Sequence, residues 1–529
     1  MARPQYIAAL DVGTTTIRCF IYNDSVITIG SATEQVHLLY PKPGFVEIDP
    51  DQLWNSIIKT IENAVKDAKL EMSDIICLGI STQRSTFITW DKQTGQTFHN
   101  FITWKDIRAD KLVKKWNSSC IIKTMHGVSR FLYLMTRSSR FLAGSVLKLM
   151  NTQTTLRLHW VIKNNERLNE AIRNKTAMFG TLDSWLLYRL RKGYSQNKYV
   201  EHISDITSCS ATGFYDPFSL NWADWALKLF SINKDMLPRV VDNSYDFGYV
   251  DKSILGHEIK IGCMIGDQSA SMWGSCCFNR GDVKVTLGTG SFLNVNTGQK
   301  CHASVHGLYP LVAWRWRKKE QKSDELMYCV EGASNDTGSI IKWAQDFGLF
   351  TDPAESSDIA NTVDNTDGVY FVPAFSGLGA PVNDYQAASG LIGLRPSTNN
   401  AHIVRAVLES IAFRVAQLYT CTLNETDFTF SVIRVDGGVS RNDFVCQLLA
   451  DLTRLHVERS DNPELSVLGA GFLAGLNVGV WKDRNDLLRL RKVEKVFVPR
   501  PEINSKCLES FRAWEKACNR FKGWYNEVK

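Results

Sequence analysis

Two short motifs near the middle of the chain each supply one part of a possible reaction. The first is Gly266-Asp267-Gln268, which follows an apolar run and predicts a carboxylate at a strand end, facing a cleft. The second, residues 283–292, reads as a strand, a tight Gly-Thr-Gly turn and a second strand. Such a turn presents backbone N–H groups and a hydroxyl to a phosphate. A carboxylate base beside a phosphate cradle is the minimum equipment for transferring a phosphoryl group to an alcohol.

A hairpin of the same kind lies at the beginning of the chain. An apolar strand at residues 6–10 leads to Asp11, and Gly-Thr-Thr-Thr at 13–16 makes the turn. Residues 17–22 then return as a second strand that carries Arg18. One such hairpin in each half predicts an internally duplicated fold whose hairpins close on one nucleotide from opposite sides. The alternative is two unrelated hairpins and a helix-capping aspartate, because motifs of three residues have low specificity.

Length and composition restrict the class of protein. A chain of 529 residues exceeds what one hydrophobic core usually supports, so we expect at least two domains. Hydrophobic residues make up 44% and charged residues 22%, as in ordinary globular proteins. The net charge of +6 is small for this length and does not indicate nucleic acid binding. Thirteen cysteines without C-x-x-C pairs predict neither a zinc site nor a disulfide framework.

Targeting and membrane-spanning segments are not predicted. The first six residues are polar and lead directly into a strand, unlike a secretory signal. The longest apolar run, residues 467–481, contains four glycines and is shorter than the roughly 20 residues that a membrane span needs. We therefore expect a soluble, cytoplasmic protein.

Polar residues also follow two strands of the first half. Residues 75–80 form a buried strand whose end carries Arg84, and residues 101–106 bring Trp104 to the next strand end. An arginine and a tryptophan at neighbouring strand ends can orient and sandwich a small polyhydroxy ligand. A surface arginine and a core tryptophan are the commoner explanation of each residue alone.

In the second half, two glycine positions predict close approach of the backbone to a ligand. Gly338 falls in the first turns of a helical stretch. The tripeptide Asp436-Gly437-Gly438 ends a strand and precedes Asn442 at a helix start. We expect bare backbone there to face a base or ribose, and Asn442 to bond the adenine edge.

Several segments carry structural predictions only. Residues 124–150 alternate basic and apolar residues, which fits either an amphipathic insertion that touches a membrane or partner protein, or a solvated helical face. Residues 178–189 predict a helix capped near Thr181 or Asp183. Residues 202–215 are rich in Ser and Thr and predict a surface loop with a short strand. The basic run within 311–324 is expected to decorate a hairpin loop.

Eight segments together resemble the FGGY family of carbohydrate kinases, and within it the glycerol kinases. Their shared order and spacing, from about residue 7 to about residue 481, make the short motifs specific. The resemblance implies an α/β fold of two RNase-H-like domains of the actin/hexokinase type, 1–267 on the polyol side and 268–529 on the nucleotide side, with the active site in the cleft between them. The segments are ALDVGTTTIR from Ala9, GISTQRSTFITWDKQTGQ from Gly79, MFGTLDSWLLYRL from Met178, GDQ at 266–268, LGTGSF from Leu287, GVYFVPAFSGLGAP from Gly368, HIVRAVLESIAF from His402 and VDGGVSRNDF from Val435.

The resemblance also implies roles for individual residues. Asp267 is the general base that takes the proton from the accepting hydroxyl. Asp11, from its own place at the end of the first strand, is expected to be an outer-shell ligand of Mg²⁺, a cation that keeps several waters. Polyol-binding positions are Arg84, Ser85, Trp104, Asp267, Gln268 and Phe292, and nucleotide positions are Thr14, Thr15, Thr16, Arg18, Thr289, Gly338, Gly438 and Asn442.

The implied activity is phosphorylation by ATP and Mg²⁺ of glycerol, giving glycerol 3-phosphate, or of a similar small polyol. The resemblance also implies a homo-oligomer. Two alternatives remain open: a kinase of the same family for another sugar or polyol, and a weakly active relative that binds nucleotide as a regulator.

Three positions depart from the glycerol kinase pattern. Ser85 stands where those enzymes carry a Glu that holds two hydroxyls of glycerol, Thr152 aligns with a Tyr, and Lys342 aligns with a Gln near the nucleotide. Losing one charged hydrogen bond costs about 1.5–3 kcal/mol, or roughly one to two decades in affinity or rate. We therefore expect weakened but not abolished use of glycerol. We also expect a less neutralised Arg84 and a roomier pocket, suited to a larger, carbonyl-bearing or anionic polyol.

Overall fold

Two mixed β-sheets with the same strand order organise the chain. The computed structural model describes residues 5–195, 198–317 and 324–526. The strands are β1 (Tyr6–Val12), β2 (Thr16–Tyr22), β3 (Thr28–Gln35), β4 (Leu38–Leu39), β5 (Glu47–Ile48), β6 (Ile75–Thr82), β7 (Phe87–Asp91), β8 (Phe101–Ile102), β9 (Ala177–Thr181), β10 (Ile203–Asp205), β11 (Tyr215–Asp216), β12 (Asn221–Trp222), β13 (Arg239–Val241), β14 (Lys260–Gly266), β15 (Val283–Leu287), β16 (Ser291–Gly298), β17 (Tyr309–Arg317), β18 (Asp324–Ser334), β19 (Tyr370–Val372), β20 (Gly390–Ile392), β21 (Val432–Asp436), β22 (His456–Ser460) and β23 (Val493–Phe497).

Helices cover the faces of these sheets. They are α1 (Pro50–Asp67), α2 (Asp110–Asn117), α3 (Cys120–Thr136), α4 (Ser139–Ser145), α5 (Thr154–Asn164), α6 (Glu166–Arg173), α7 (Leu182–Lys192), α8 (Ile206–Ser210), α9 (Asp224–Leu229), α10 (Lys252–Leu255), α11 (Asp267–Gly274), α12 (Gly338–Asp346), α13 (Ser356–Asn361), α14 (Asn400–Glu425), α15 (Asp443–Thr453), α16 (Leu465–Val478), α17 (Arg484–Leu490) and α18 (Pro501–Arg520).

The two large sheets repeat one topology. The first has the order β14-β6-β1-β2-β3, with antiparallel pairing along β1-β2-β3 and parallel pairing of β1 with β6 and of β6 with β14. The second contains the equivalent order β22-β21-β15-β16-β18, extended at its edges by β23 and β17. This repetition confirms the predicted duplication and the two-domain α/β fold. A smaller sheet, β4-β5-β8-β7-β9, is added to the first half.

Helix α1 packs on the first sheet as its periodicity predicts. Asp49 caps its N-terminus by accepting hydrogen bonds from the N–H groups of Asp51 and Gln52, and Pro50 occupies the first turn. Its buried face carries large apolar side chains, including Trp54 and Ile57. Each large apolar side chain that is buried in this way stabilises the fold by about 1.5–3 kcal/mol.

Helix α16 ties the second half to the first sheet. It contacts β1, β6 and β14 and packs against α11. Glycine is required at this contact, because a Cβ on Gly469 would lie 1.7 Å from the carbonyl oxygen of Ala270. The apolar run at 467–481 is therefore a buried core helix and its end. Within the described ranges, no helix is both long enough and apolar enough to cross a membrane.

One local prediction was right about a helix cap and wrong about where the helix begins, and a second prediction was wrong about burial. Thr181 is the N-cap of α7, as predicted, but residues 178–181 belong to β9 and are not helical. Residues 202–215 are not a surface loop, since β10 and α8 lie there and are buried. Their hydroxyls are satisfied inside the fold: Ser204 donates to Asp183 over 2.6 Å, and Thr207 donates to Asp205.

Two further segments were predicted in outline. The alternating segment at 124–150 lies within α3 and α4 and the residues that follow them. Strands β17 and β18 pair as an antiparallel hairpin. Arg315 and Arg317 of the basic run lie in β17 and form ion pairs with Asp324, and residues 318–323 lie outside the described residues.

Candidate active site

A cavity of about 2310 Å³ lies between the two halves of the chain. Both Gly-Thr turns open into it, at residues 13–16 and 288–290, and Asp267 lies on its wall. Ordinary ligand pockets have volumes of about 300–1,000 Å³, so this cavity has room for a nucleotide and an acceptor together. Every polyol- and nucleotide-binding residue that the sequence predicts lines this cavity, and only Asp11 lies behind its wall.

Asp267 is the first residue of α11, directly after β14. Its Oδ1 accepts hydrogen bonds from the backbone N–H of Gln268 over 2.7 Å and from Nε of Arg84 over 3.2 Å. Burial raises the pKa of the Asp267 carboxyl, and the positive charge of Arg84 opposes that rise. The site therefore holds a carboxylate that is a stronger base than a free one.

Arg84 joins carboxylates from both halves. Its Nη2 donates to Oε2 of Glu331 over 2.6 Å, while its Nε contacts Asp267. Glu331 also accepts a hydrogen bond from Asn294 over 2.8 Å. Arg84 is therefore paired with two carboxylates although Ser85 supplies none, and the expectation that it is less neutralised than in the glycerol kinases stays a prediction. The sequence analysis gave Glu331 no role. Its position as a charged residue among the apolar residues of β18 was the feature that could have indicated a functional side chain.

Lys284 is a second charged residue that the sequence analysis missed. It is fully buried, and its Nζ donates to Oε1 of Gln268 over 2.6 Å and to Oγ1 of Thr286 over 2.7 Å. Burial lowers the pKa of Lys284, while the carboxylates of Asp436 and Glu331 oppose that change. Gln268 lines the cavity, but its side-chain oxygen is directed to Lys284. A single lysine within the apolar sequence VKVTL was the feature from which a buried, functional lysine could have been predicted.

Trp104 and Phe292 form an aromatic wall across the cleft. Their ring centroids lie 6.4 Å apart at 75°, an edge-to-face arrangement. Nε1 of Trp104 donates to Oγ1 of Thr14 over 2.8 Å, which ties this wall to the first turn. An aromatic surface beside Arg84 and Asp267 suits the carbon skeleton of a small polyol.

Ser85 lines the cavity with a hydroxyl that is already engaged. The Oγ of Ser85 donates to the carbonyl oxygen of Ala211 over 2.8 Å. Its backbone has φ 61°, and its carbonyl accepts from Nη2 of Arg157 over 2.9 Å. The side chain thus brings no charge to the cavity, and Thr152 nearby on the wall is also uncharged.

The first turn is closed by a hydrogen bond from the N–H of Gly13 to the carbonyl oxygen of Thr16 over 3.0 Å. Thr15 and Thr16 line the cavity beside it, and Arg18 forms an ion pair with Glu464 over 3.2 Å. These hydroxyls, backbone groups and the guanidinium form a surface that suits phosphate oxygens.

Asp11 lies behind the first turn. Its Oδ1 accepts a hydrogen bond from Oγ of Ser81 over 2.6 Å. Burial raises the pKa of Asp11 to about 7; the Ser81 hydrogen bond lowers it, and the negative charge of Asp267 raises it further. Within the described part of the chain, no group of three or more His, Cys, Asp or Glu residues is placed to bind a metal. A single carboxylate such as Asp11 is compatible with outer-shell Mg²⁺, which takes few carboxylates and keeps several waters.

The second turn packs against the start of α12. The N–H of Gly338 donates to the carbonyl oxygens of Gly288 and Thr289 over 2.9 and 3.0 Å. A Cβ on Gly338 would lie 2.8 Å from the Gly288 oxygen, so glycine permits this contact. Lys342 also lines the cavity, from the next turn of α12, and pairs with Asp346.

The Asp436-Gly437-Gly438 turn differs from its prediction in one detail. The steric demand falls on Gly437, which has φ +86° and whose Cβ would lie 2.7 Å from the Leu287 carbonyl. Gly438 is unobstructed and lines the cavity. Asn442 caps α15 by accepting from the N–H of Val445 over 3.0 Å, and its Nδ2 donates to Ser356. Both ends of the Asn442 amide thus form hydrogen bonds within the protein, at the edge of the place predicted for the adenine base.

Comparison with known families decides the class. Residues 6–274 match the N-terminal domain of the FGGY family of carbohydrate kinases, and residues 283–478 match its C-terminal domain. The chain belongs to the FGGY family. As an FGGY kinase, it is an enzyme that transfers a phosphoryl group from ATP.

Individual FGGY kinases cover almost the whole chain. Glycerol kinase 5 of Danio rerio is 46% identical over 99% of this chain and 98% of its own length. Glycerol kinase 2 of Thermotoga maritima is 35% identical over 98% of this chain and 99% of its own length. The crystal structure of Plasmodium falciparum glycerol kinase with ADP has a TM-score of 0.85 and 30% identity, and covers 98% of both chains.

Proposed function

We propose that this FGGY kinase phosphorylates glycerol, or a similarly small polyol, with ATP and Mg²⁺. The observation that carries the proposal is the Asp267 carboxylate, held against Arg84 on the wall of a cavity into which both Gly-Thr turns open. The names of the relatives support glycerol as the acceptor class, since glycerol kinases from distant organisms align along nearly the whole chain.

The proposed reaction needs one base and two phosphate-binding turns. The acceptor hydroxyl gives its proton to the Asp267 carboxylate, and its oxygen forms a bond to the γ-phosphorus as the bond to the β-phosphate oxygen breaks and ADP leaves. Arg84 orients the acceptor, and the ring wall of Trp104 and Phe292 excludes water from beside it. Closure of the cleft keeps water from replacing the acceptor.

The nucleotide is proposed to lie along the second half. Thr289, Gly338 and Gly438 present backbone and hydroxyl groups to it, and residues 14–16 with Arg18 contact its terminal phosphates from the other side. Asn442 is proposed to stay at the edge of the base site as the cap of α15. Asp11 would hold Mg²⁺, and the cation would supply positive charge beside the phosphates. In this scheme residues 1–267 hold most of the acceptor, and residues 268–529 hold most of the nucleotide.

A second candidate is an acceptor larger than glycerol. Ser85 supplies no carboxylate, and its hydroxyl is committed to Ala211. Ser85 and Thr152 themselves bring neither a charged nor an aromatic group to the cavity wall. Glycerol kinases hold two hydroxyls there, so this site favours a ligand that fills space instead of one that needs those bonds.

The test is ATP turnover against a panel of polyols and sugars, with Asp267→Asn as the control. Glycerol or another polyol is expected to give turnover well above that control. If no acceptor exceeds the control, the chain is a nucleotide-binding regulator instead. Size-exclusion chromatography with light scattering tests the proposed homo-oligomer, and fractionation of cells tests the proposed cytoplasmic location.

A further inference from the structure

Helix α3 presents an outward apolar face. Its inner face is fixed by buried Ile122 and Ser129 and by a hydrogen bond between Nε2 of His126 and the carbonyl oxygen of Leu147 over 2.7 Å. Five large apolar side chains point the other way and are more than half exposed, and three of them, Phe131, Leu134 and Met135, are 62%, 59% and 71% exposed. The other two are Ile121 and Val128.

The spacing places these side chains on one stripe. Ile121, Val128 and Met135 recur every seven residues, and Phe131 and Leu134 fill the positions between them. Lys123, Arg130 and Arg137 recur at the same interval, are exposed, and follow one edge of the stripe. The helix is therefore apolar along its outer face and basic along one side.

The charge of the surrounding segment is uniform. Residues 111–165 contain ten Lys and Arg and no Asp or Glu, whereas the whole chain has 61 basic and 55 acidic residues. A two-fold contact between copies would set this face against itself and bring basic rows together without carboxylates. The surface therefore favours an occupant that is negatively charged and has an apolar interior.

We propose that the outer face of α3 lies on an anionic phospholipid surface. An amphipathic helix with Lys and Arg beside a Phe- and Leu-bearing face lies in the plane of the interface, with its apolar side chains among the acyl chains. Negatively charged headgroups attract the basic row. The helix has 17 residues and would lie along the surface without crossing it.

The experiment is sedimentation of the full-length protein with phosphatidylcholine vesicles, with and without phosphatidylserine. We expect binding to vesicles that contain phosphatidylserine, and about tenfold less binding to phosphatidylcholine alone or at high salt. The triple variant Phe131→Ser, Leu134→Ser, Met135→Ser and the charge variant Lys123→Glu, Arg130→Glu are each expected to stay in the supernatant.

A matched control removes exposed apolar groups elsewhere. Ile27→Ser, Tyr40→Ser and Val498→Ser together change side chains that are 54%, 67% and 55% exposed, and sedimentation should stay as in the parent. Turnover of a soluble acceptor should be unchanged in all variants, which checks that they fold. Parent protein that stays in the supernatant with anionic vesicles overturns the proposal. The proposal is also overturned if the α3 variants sediment with vesicles like the parent. It is overturned as well if these variants lose self-association but still bind vesicles.

Discussion

Arg84 and Asp267 form a partly buried ion pair in which Nε of Arg84 lies 3.2 Å from Oδ1 of Asp267. The two residues are 183 positions apart in the chain, and Arg84 reaches the carboxylate by lying across Gly266. The guanidinium partly offsets the effect of burial on the Asp267 carboxyl. This pair sets both the orientation and the basicity of the proposed catalytic group.

Replacing Asp267 with Asn should remove most of the activity. The amide keeps the shape of the side chain but cannot accept the hydroxyl proton, and general-base contributions are about 10²–10⁴-fold. Turnover with the best acceptor should fall by that factor, while ATP binding, measured by calorimetry, should stay near that of the parent. An Asn variant as fast as the parent would exclude Asp267 as the base.

As the pH is lowered, the rate should begin to fall at a higher pH than it would with an ordinary carboxylate as the base. The base must be deprotonated, and burial raises the pKa of Asp267, so activity is gained as pH rises through that raised value. We call the part of the pH profile in which kcat rises with pH the acid limb. Arg84→Met should move the acid limb to still higher pH, because the positive charge that lowers the pKa of Asp267 is lost. Arg84→Lys keeps the charge and should move it less. A pH profile of kcat that is identical in all three proteins contradicts this account.

Replacing Glu331 with Gln should move the same limb in the opposite direction. The negative charge of Glu331 raises the pKa of Asp267, and its loss also leaves Arg84 with one carboxylate partner instead of two. The acid limb of the kcat profile should therefore lie at lower pH than in the parent. Glu325→Gln, which changes the carboxylate paired with Arg484 on the same strand β18, is the matched control and should leave the profile unchanged. A shift to higher pH in the Glu331 variant would contradict this account, and would show that Glu331 acts mainly by holding Arg84 beside Asp267.

Replacing Lys284 with Met should reduce kcat/KM through Gln268. The change removes a charged hydrogen bond, worth about 1.5–3 kcal/mol, and releases the Gln268 amide at the cavity wall. The expected loss is roughly one to two decades, with a lower melting temperature because Asp436 and Glu331 lose a nearby cation. Gln268→Met in the same assay separates the effect on Gln268 from the effect on stability. This variant should lose activity with a smaller change in melting temperature than Lys284→Met.

Replacing Ser85 with Glu should improve the use of glycerol. A carboxylate here restores an acceptor for glycerol hydroxyls, and a gain of one charged hydrogen bond contributes about 1.5–3 kcal/mol. KM for glycerol should fall by about one to two decades, and Ser85→Gln should give a smaller change. Equal glycerol kinetics in parent and Glu variant would mean that position 85 does not contact the acceptor.

Much of the fold could be predicted because its signals are local. The apolar strands that lead to Asp11 and Asp267 and the Gly-Thr turns are all encoded within about ten residues, the range over which pattern governs backbone shape. The prediction for 202–215 failed because its hydroxyls looked solvated. Ser204 bonds to Asp183 instead, and no short window contains that partner.

The sequence by itself therefore determined the two hairpins, the duplicated domains, and Asp267 as the carboxylate at a strand end. Only the tertiary structure decided what surrounds that carboxylate. Arg84 and Glu331 are 247 residues apart, and Lys284 contacts Gln268 from the opposing sheet. Single charged residues within strands carry no motif, and their role follows from which chain segments the packing of the two domains brings together.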